Sequence, residues 1–108
     1  TLAAGRSIQG GCSAGIAALG VTADLQVLSC VRIRTPVGDL RRSTLEEIWS
    51  GGPILDRLRR RDLLEEPCGS CSLSPVCGGC RAEALHATGR LMAADPGCPV
   101  PFIARAPR

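Results

Sequence analysis

The chain has 108 residues, with one Trp, one Phe, no Tyr and one Met against 13 Gly and 8 Pro. So little large apolar area permits only a thin core, and a domain of this size then needs a staple such as disulfides, a metal or a partner. Net charge is +3, carried by 13 Arg and no Lys; no run of about 18 apolar residues offers a membrane span, and no aromatics interleave with the arginines as nucleic-acid stacking requires.

Residues 1–11 are small and Gly-rich and read as a connector. They start without Met and without a basic segment leading into an apolar run, so the expectation is an upstream portion before Thr1 and no export signal. Next, "IAALGV" and "LQVLSCVRI" flank "TAD", which predicts a short hairpin turning near Asp24. "TPVGDLRR" reads as a loop. "STLEEIWS" predicts a helix capped by Ser43, with Glu46 completing a capping box. Leu45, Ile48 and Trp49 then share its inner face, with Trp49 as the packing anchor.

"GGP" at 51–53 breaks that helix, and Pro53 suits the first turn of the next. Ile54, Leu55, Leu58 and the stem of Arg61 line its buried side. The run Arg57, Arg59, Arg60 and Arg61 reads as a solvated helix face. Pro67 ends regular structure. A last helix is expected from Gly79 or Cys80 through "RAEALHAT" to a stop at Gly89. Residues 91–108, with four prolines, read as loop and tail. The fold class is a small α+β metal-dependent domain: a short β-hairpin, then short helices wrapped around metal.

The cysteines carry the chemistry. They are Cys12, Cys30, Cys68, Cys71, Cys77, Cys80 and Cys98, and four of them fall in "CGSCSLSPVCGGC" at 68–80, spaced C-x2-C-x5-C-x2-C. An odd total argues against a closed disulfide set. Tight C-x2-C pairs without an export signal point to metal in a reducing cytoplasm. A four-thiolate zinc site normally draws on two pairs about 12–20 residues apart, so a five-residue spacer makes zinc awkward without excluding it. An iron–sulfur cubane takes closely spaced thiolates more readily, often with a remote Cys followed by Pro. Cys98 is followed by Pro99.

From Cys12 to Cys98 the chain resembles the SPASM domain, the auxiliary-cluster domain at the C-terminus of many radical S-adenosylmethionine enzymes. That family runs C-x(9–15)-G-x4-C, then C-x2-C-x5-C-x3-C, then a distant Cys. Here Cys12 and Cys30 form the first pair, "CGSCSLSPVC" matches the run, and Cys80 and Cys98 supply the last two positions. "STLEEIW" and "CGGCRAEA" are similar too, and "GCSAG", "CGGCRA" and "DPGCP" are closest to the haem-biosynthesis branch. Two departures stand out. Leu25 occupies the place of the family Gly, so the hairpin is expected to turn elsewhere, and the last spacer in the run is x2.

The resemblance implies a connector at 1–11, a SPASM-like domain at 12–100 and a tail at 101–108. It implies two [4Fe–4S] clusters. Cys12, Cys30 and Cys80 hold the first, one ligand short, and Cys68, Cys71, Cys77 and Cys98 hold the second. Asp24 and Asp39 are conceivable fourth ligands but read better as turn residues. The implied partners are an upstream radical S-adenosylmethionine core, an electron donor and a tetrapyrrole or peptide substrate. The radical-generating C-x3-C-x2-C spacing is absent from these residues, so S-adenosylmethionine chemistry enters only through that core. Arg81 is a weak candidate for substrate binding, or for a hydrogen bond near a cluster. Gly78 and Gly79 let backbone amides approach sulfur, and His86 reads as a partly exposed helix residue. Two alternatives remain: a zinc-stabilised interaction module, and a stand-alone redox or scaffold protein.

Overall fold

The computed structural model describes residues 11–100; the expected connector up to residue 10 and the tail from 101 lie outside the described residues. The sheet comes first. β1 (Gly20–Val21), β2 (Gln26–Cys30) and β3 (Ile33–Asp39) form an antiparallel sheet in the order β1-β2-β3. β2 is central, and Val27, Leu28 and Ser29 on it are buried.

The hairpin forms where the pattern predicts it, but its turn is built differently. The Thr22 amide donates to the Gln26 carbonyl at 2.9 Å, and the Leu25 amide donates to the Thr22 carbonyl at 3.0 Å. Leu25 itself takes the left-handed conformation, with φ 67°. The turn therefore keeps the geometry a glycine would give and places a leucine in it.

Of the stretch expected as a loop, residues 35–39 are strand and 40–42 a turn. β3 pairs with β2 from Cys30↔Ile33 to Gln26↔Asp39, with register shifts on either side of Leu28. Thr-Pro and Gly are loop signals, yet Pro36 sits on an edge strand beside a bulge, where a missing N–H is tolerated. The apparent single strand "LQVLSCVRI" is broken at Val31–Arg32, which turn the chain back on itself.

α1 (Leu45–Trp49) has a capping box one residue later than expected. The Thr44 hydroxyl accepts from the Glu47 amide at 3.1 Å, and the Glu47 carboxylate accepts from the Thr44 amide at 2.9 Å. Ile48 is its buried residue. It lies over Gly38 of β3, where a Cβ would come within 2.5 Å of the Ile48 Cγ1. Trp49 is not a core anchor: it is 37 % exposed, and the Arg59 guanidinium sits 4.5 Å above its ring.

α2 (Pro53–Leu58) starts on Pro53 as predicted and buries Leu55 and Leu58. It ends before most of the arginine run, which is not a solvated helix face. Arg59 donates to the Gly15 carbonyl at 2.8 Å. Arg61 donates to the carbonyls of Ser74, Pro75 and Cys12 at 3.1, 2.7 and 2.8 Å. Arg57 and Arg60 stay exposed.

Single turns of 3-10 helix follow at Arg61–Leu63 and Cys68–Ser70. α3 (Arg81–Thr88) begins after Cys80 and stops at Gly89, φ 80°, as expected. Residues 91–93 are not tail but core, because Leu91, Met92 and Ala93 are buried. The main apolar cluster joins Ala14, Ile33, Leu55, Leu58, Leu64, Ala82, Leu91 and Met92, and Cys12, Cys30, Cys68 and Cys80 pack against it.

Candidate metal centre

All seven cysteines are free thiols; Cys77 is exposed and the other six are half-buried. The fold gathers their backbones by close approaches that only glycine permits. The Cys12 amide donates to the Cys77 carbonyl at 3.1 Å. At Gly11, φ 65°, a Cβ would lie 2.0 Å from that same carbonyl oxygen. At Gly69, beside Cys68, a Cβ would lie 2.3 Å from the Leu64 carbonyl oxygen.

Gly78 and Gly79 both have positive φ, 67° and 63°. This turn aims the Gly79 amide at the Cys77 sulfur, 3.3 Å away. The missing side chains also admit neighbours. A Cβ at Gly78 would meet the Arg61 Nε at 2.7 Å, and one at Gly79 the Asp95 Cβ at 2.8 Å. Asp95 is a junction that the sequence reading missed. Its carboxylate accepts from the Cys80 amide at 2.8 Å and the Gly97 amide at 2.8 Å, and its carbonyl accepts from the Cys98 amide at 3.1 Å.

Cys80 is the N-cap of α3, with its sulfur accepting from the Glu83 amide at 3.4 Å. Arg32 joins it to Cys30, fifty residues earlier. The Arg32 amide donates to the Cys30 sulfur at 3.5 Å, and its Nη1 lies 3.9 Å from the Cys80 sulfur. Its Nη2 pairs with the Glu83 carboxylate. The Arg32 guanidinium is held above its ordinary pKa first by Glu83, then by the sulfurs of Cys80 and Cys30. Cys30 also lines a cavity of about 340 Å³ together with Cys12. Spacing alone gave no sign of Arg32 or Glu83; the visible trace was a charged residue two after Cys30 and another three after Cys80.

Other expected residues sit as follows. Asp39 is held by Arg41, whose side chain and amide pull its carboxyl down to about 2. The Thr22 hydroxyl, first, lowers Asp24. Both belong to the end of the sheet away from the Cys30–Ile33 turn. His86 is exposed on α3. Arg81 is only 3 % exposed; its Nη1 donates to the carbonyls of Leu91 and Ala93 at 2.8 and 2.6 Å. Its Nε and Nη2 are buried without partners.

The donor set suits a thiolate-bound cluster. Among the described residues no three Cys, His, Asp or Glu side chains converge on a single-ion site. Backbone amides point at the sulfurs of Cys30, Cys77 and Cys80. The Nε and Nη2 of Arg81, next to Cys80, are buried donors without a partner among the described residues.

Comparison with known proteins gives the same chemistry. Residues 12–72 match the family model of SPASM, an iron–sulfur cluster-binding domain; the matched stretch holds Cys12, Cys30, Cys68 and Cys71. An AdoMet-dependent heme synthase of Methanosarcina barkeri is 33 % identical over 88 residues, 82 % of this chain and 25 % of the relative. Its counterpart from Nitratidesulfovibrio vulgaris is 32 % identical over 88 residues, 82 % of this chain and 24 % of the relative. A PqqA peptide cyclase of Granulibacter bethesdensis is 36 % identical over 78 residues, 68 % of this chain and 21 % of the relative. The chain thus spans about a quarter of the length of these relatives.

Proposed function

This chain belongs to the SPASM family of iron–sulfur cluster-binding domains, and from that premise we propose that it carries two [4Fe–4S] clusters as the auxiliary domain of a radical S-adenosylmethionine enzyme. Cys12, Cys30 and Cys80 hold one, and Cys68, Cys71, Cys77 and Cys98 the other. The observation that supports this division best is the convergence of the Cys30 and Cys80 sulfurs on Arg32. The Cys80 sulfur thereby lies beside the turn that follows Cys30. Neither Asp24 nor Asp39 is read as the missing ligand, since each is engaged at the far turn.

When bound, the clusters supply one-electron chemistry at potentials set by hydrogen bonds and burial. The chain's own part is to fix the thiolates, aim amide donors at them and cover one side with the core. We assign it electron exchange with the substrate radical, substrate placement, or both, on behalf of a core domain that binds S-adenosylmethionine. An electron donor and a tetrapyrrole or peptide substrate complete the set of partners, in keeping with the names of the relatives. No helix among the described residues is long and apolar enough to cross a membrane, and a cytoplasmic setting suits seven free thiols.

The test is anaerobic reconstitution followed by iron and sulfide analysis. The expected content is roughly eight iron and eight sulfide per chain for two cubanes, or roughly four of each if one forms. Zinc alone, without sulfide, overturns the reading. Cys98→Ala and Cys80→Ala should each remove about half the iron; if Cys98→Ala leaves metal intact while Cys80→Ala abolishes it, the 68–80 run is a closed four-thiolate site.

A further inference from the structure

Arg32 and Glu83 form a charge pair that straddles Cys80. The Arg32 guanidinium lies beside the Cys80 sulfur and the Arg32 backbone amide donates to the Cys30 sulfur, while Glu83 reaches the Cys80 sulfur with its own amide. The two side chains are each 48 % exposed. An ion pair so open to water adds little to stability, so its main effect is on the charge of whatever the two thiolates hold. Two contacts hold the guanidinium at that place, its Nη1 beside the Cys80 sulfur and its Nη2 on Glu83.

We propose that Arg32 sets the reduction potential of the cluster bound by Cys30 and Cys80, with Glu83 opposing it. The inference rests on the cluster assignment above. On reduction, one electron enters from an external low-potential donor, no protein bond forms or breaks, and the site gains one negative charge. A fixed cation beside it favours the reduced form, and a fixed anion disfavours it. Arg32 is thus a positioning and tuning residue, not a ligand.

The experiment is a dithionite titration followed by electron paramagnetic resonance on the anaerobically reconstituted chain. Arg32→Gln should lower the midpoint of one signal, so that its reduced-to-oxidised ratio at fixed potential falls about tenfold, which is 59 mV for a one-electron couple. Glu83→Gln should move the same signal the opposite way, and Arg32→Lys should stay close to the parent. That signal should be the one lost in Cys30→Ser. Arg41→Gln removes an equal charge from the Asp39 pair, at the other end of the β2–β3 ladder, and should shift neither signal. Unchanged midpoints in a fully loaded Arg32→Gln chain overturn the proposal. So does an equal shift in Arg41→Gln, or a shift in the signal that survives Cys30→Ser. Should Arg32→Gln fail to load, Glu83→Gln decides alone: a raised midpoint supports the proposal and an unmoved one overturns it. A parent chain that binds no iron and sulfide fails at the earlier metal analysis, and the cluster assignment falls with it.

Discussion

The amide of Cys12 donates to the carbonyl of Cys77 at 3.1 Å, so the first and fifth cysteines of the chain lie back to back. Gly11 makes this approach possible, because its φ is 65° and a Cβ there would lie 2.0 Å from the Cys77 carbonyl oxygen. A side chain adds a left-handed penalty of about 1–2 kcal/mol to an overpacking cost of about 1–3 kcal/mol. Gly11→Ala is expected to destabilise the cluster-loaded chain by roughly 2–5 kcal/mol and to lower its iron content. Gly89→Ala is the control. Its φ is 80° but nothing lies within 4 Å of the added carbon, so only about 1 kcal/mol is expected. Thermal unfolding of the two variants side by side measures the difference.

Leu25 holds a left-handed conformation that leucine adopts at a cost. It is 43 % exposed, so removing its side chain forfeits little burial. Glycine relieves the backbone strain but adds freedom to the unfolded chain, which returns roughly 0.5–1 kcal/mol of the gain. Leu25→Gly should still stabilise by about 0.5–1 kcal/mol, and Leu25→Asn, which tolerates this region, should act in the same direction. A melting temperature that falls in both variants would count against the turn geometry described here.

Asp95 ties the last cysteine segment to the head of α3. Its carboxylate satisfies the amides of Cys80 and Gly97, and its carbonyl takes the amide of Cys98. Asp95→Ala should cost about 1–3 kcal/mol, since the half-buried Cys80 amide loses its acceptor. Asp95→Asn offers one side-chain oxygen where two amides need partners, so its stability should fall between parent and alanine variant. The corresponding readout is iron retained after a fixed exposure to chelator, with alanine losing iron fastest.

Sequence pattern reaches different depths in different parts of this molecule. α3 was legible at both ends, because Cys80 caps it and Gly89 stops it by local chemistry alone. The hairpin was legible from alternation, but β3 was not, since Pro36 and Gly38 are loop residues until an edge position and the packing of Ile48 explain them. The capping box at Thr44 was missed by one residue because Ser43 and Thr44 are chemically equivalent candidates, and only the chain path chooses between them. Trp49 was given to the core on size, yet Arg59 holds it at the surface. At the candidate centre the thiols were fully visible. Their outer partners Arg32, Glu83, Arg61 and Asp95 were not, because each acts across 13 to 51 residues of sequence.

Metal removal tests whether the chain can fold on its thin core alone. Among the described residues the buried cluster is built largely from Ala, Leu and Ile, without a buried aromatic. Four cysteines, Cys12, Cys30, Cys68 and Cys80, pack directly on it. Metal bound by these four would cross-link segments that are otherwise joined by hydrogen bonds and a small apolar cluster. In small metal domains the free energy of ligand binding is free energy of folding. The apo chain should therefore be largely unfolded, with weak amide protection and no cooperative melt, and iron with sulfide should restore both. A sharp thermal transition in verified metal-free protein would show that the thin core suffices, and would reduce the cysteine set from the staple of this fold to its passenger.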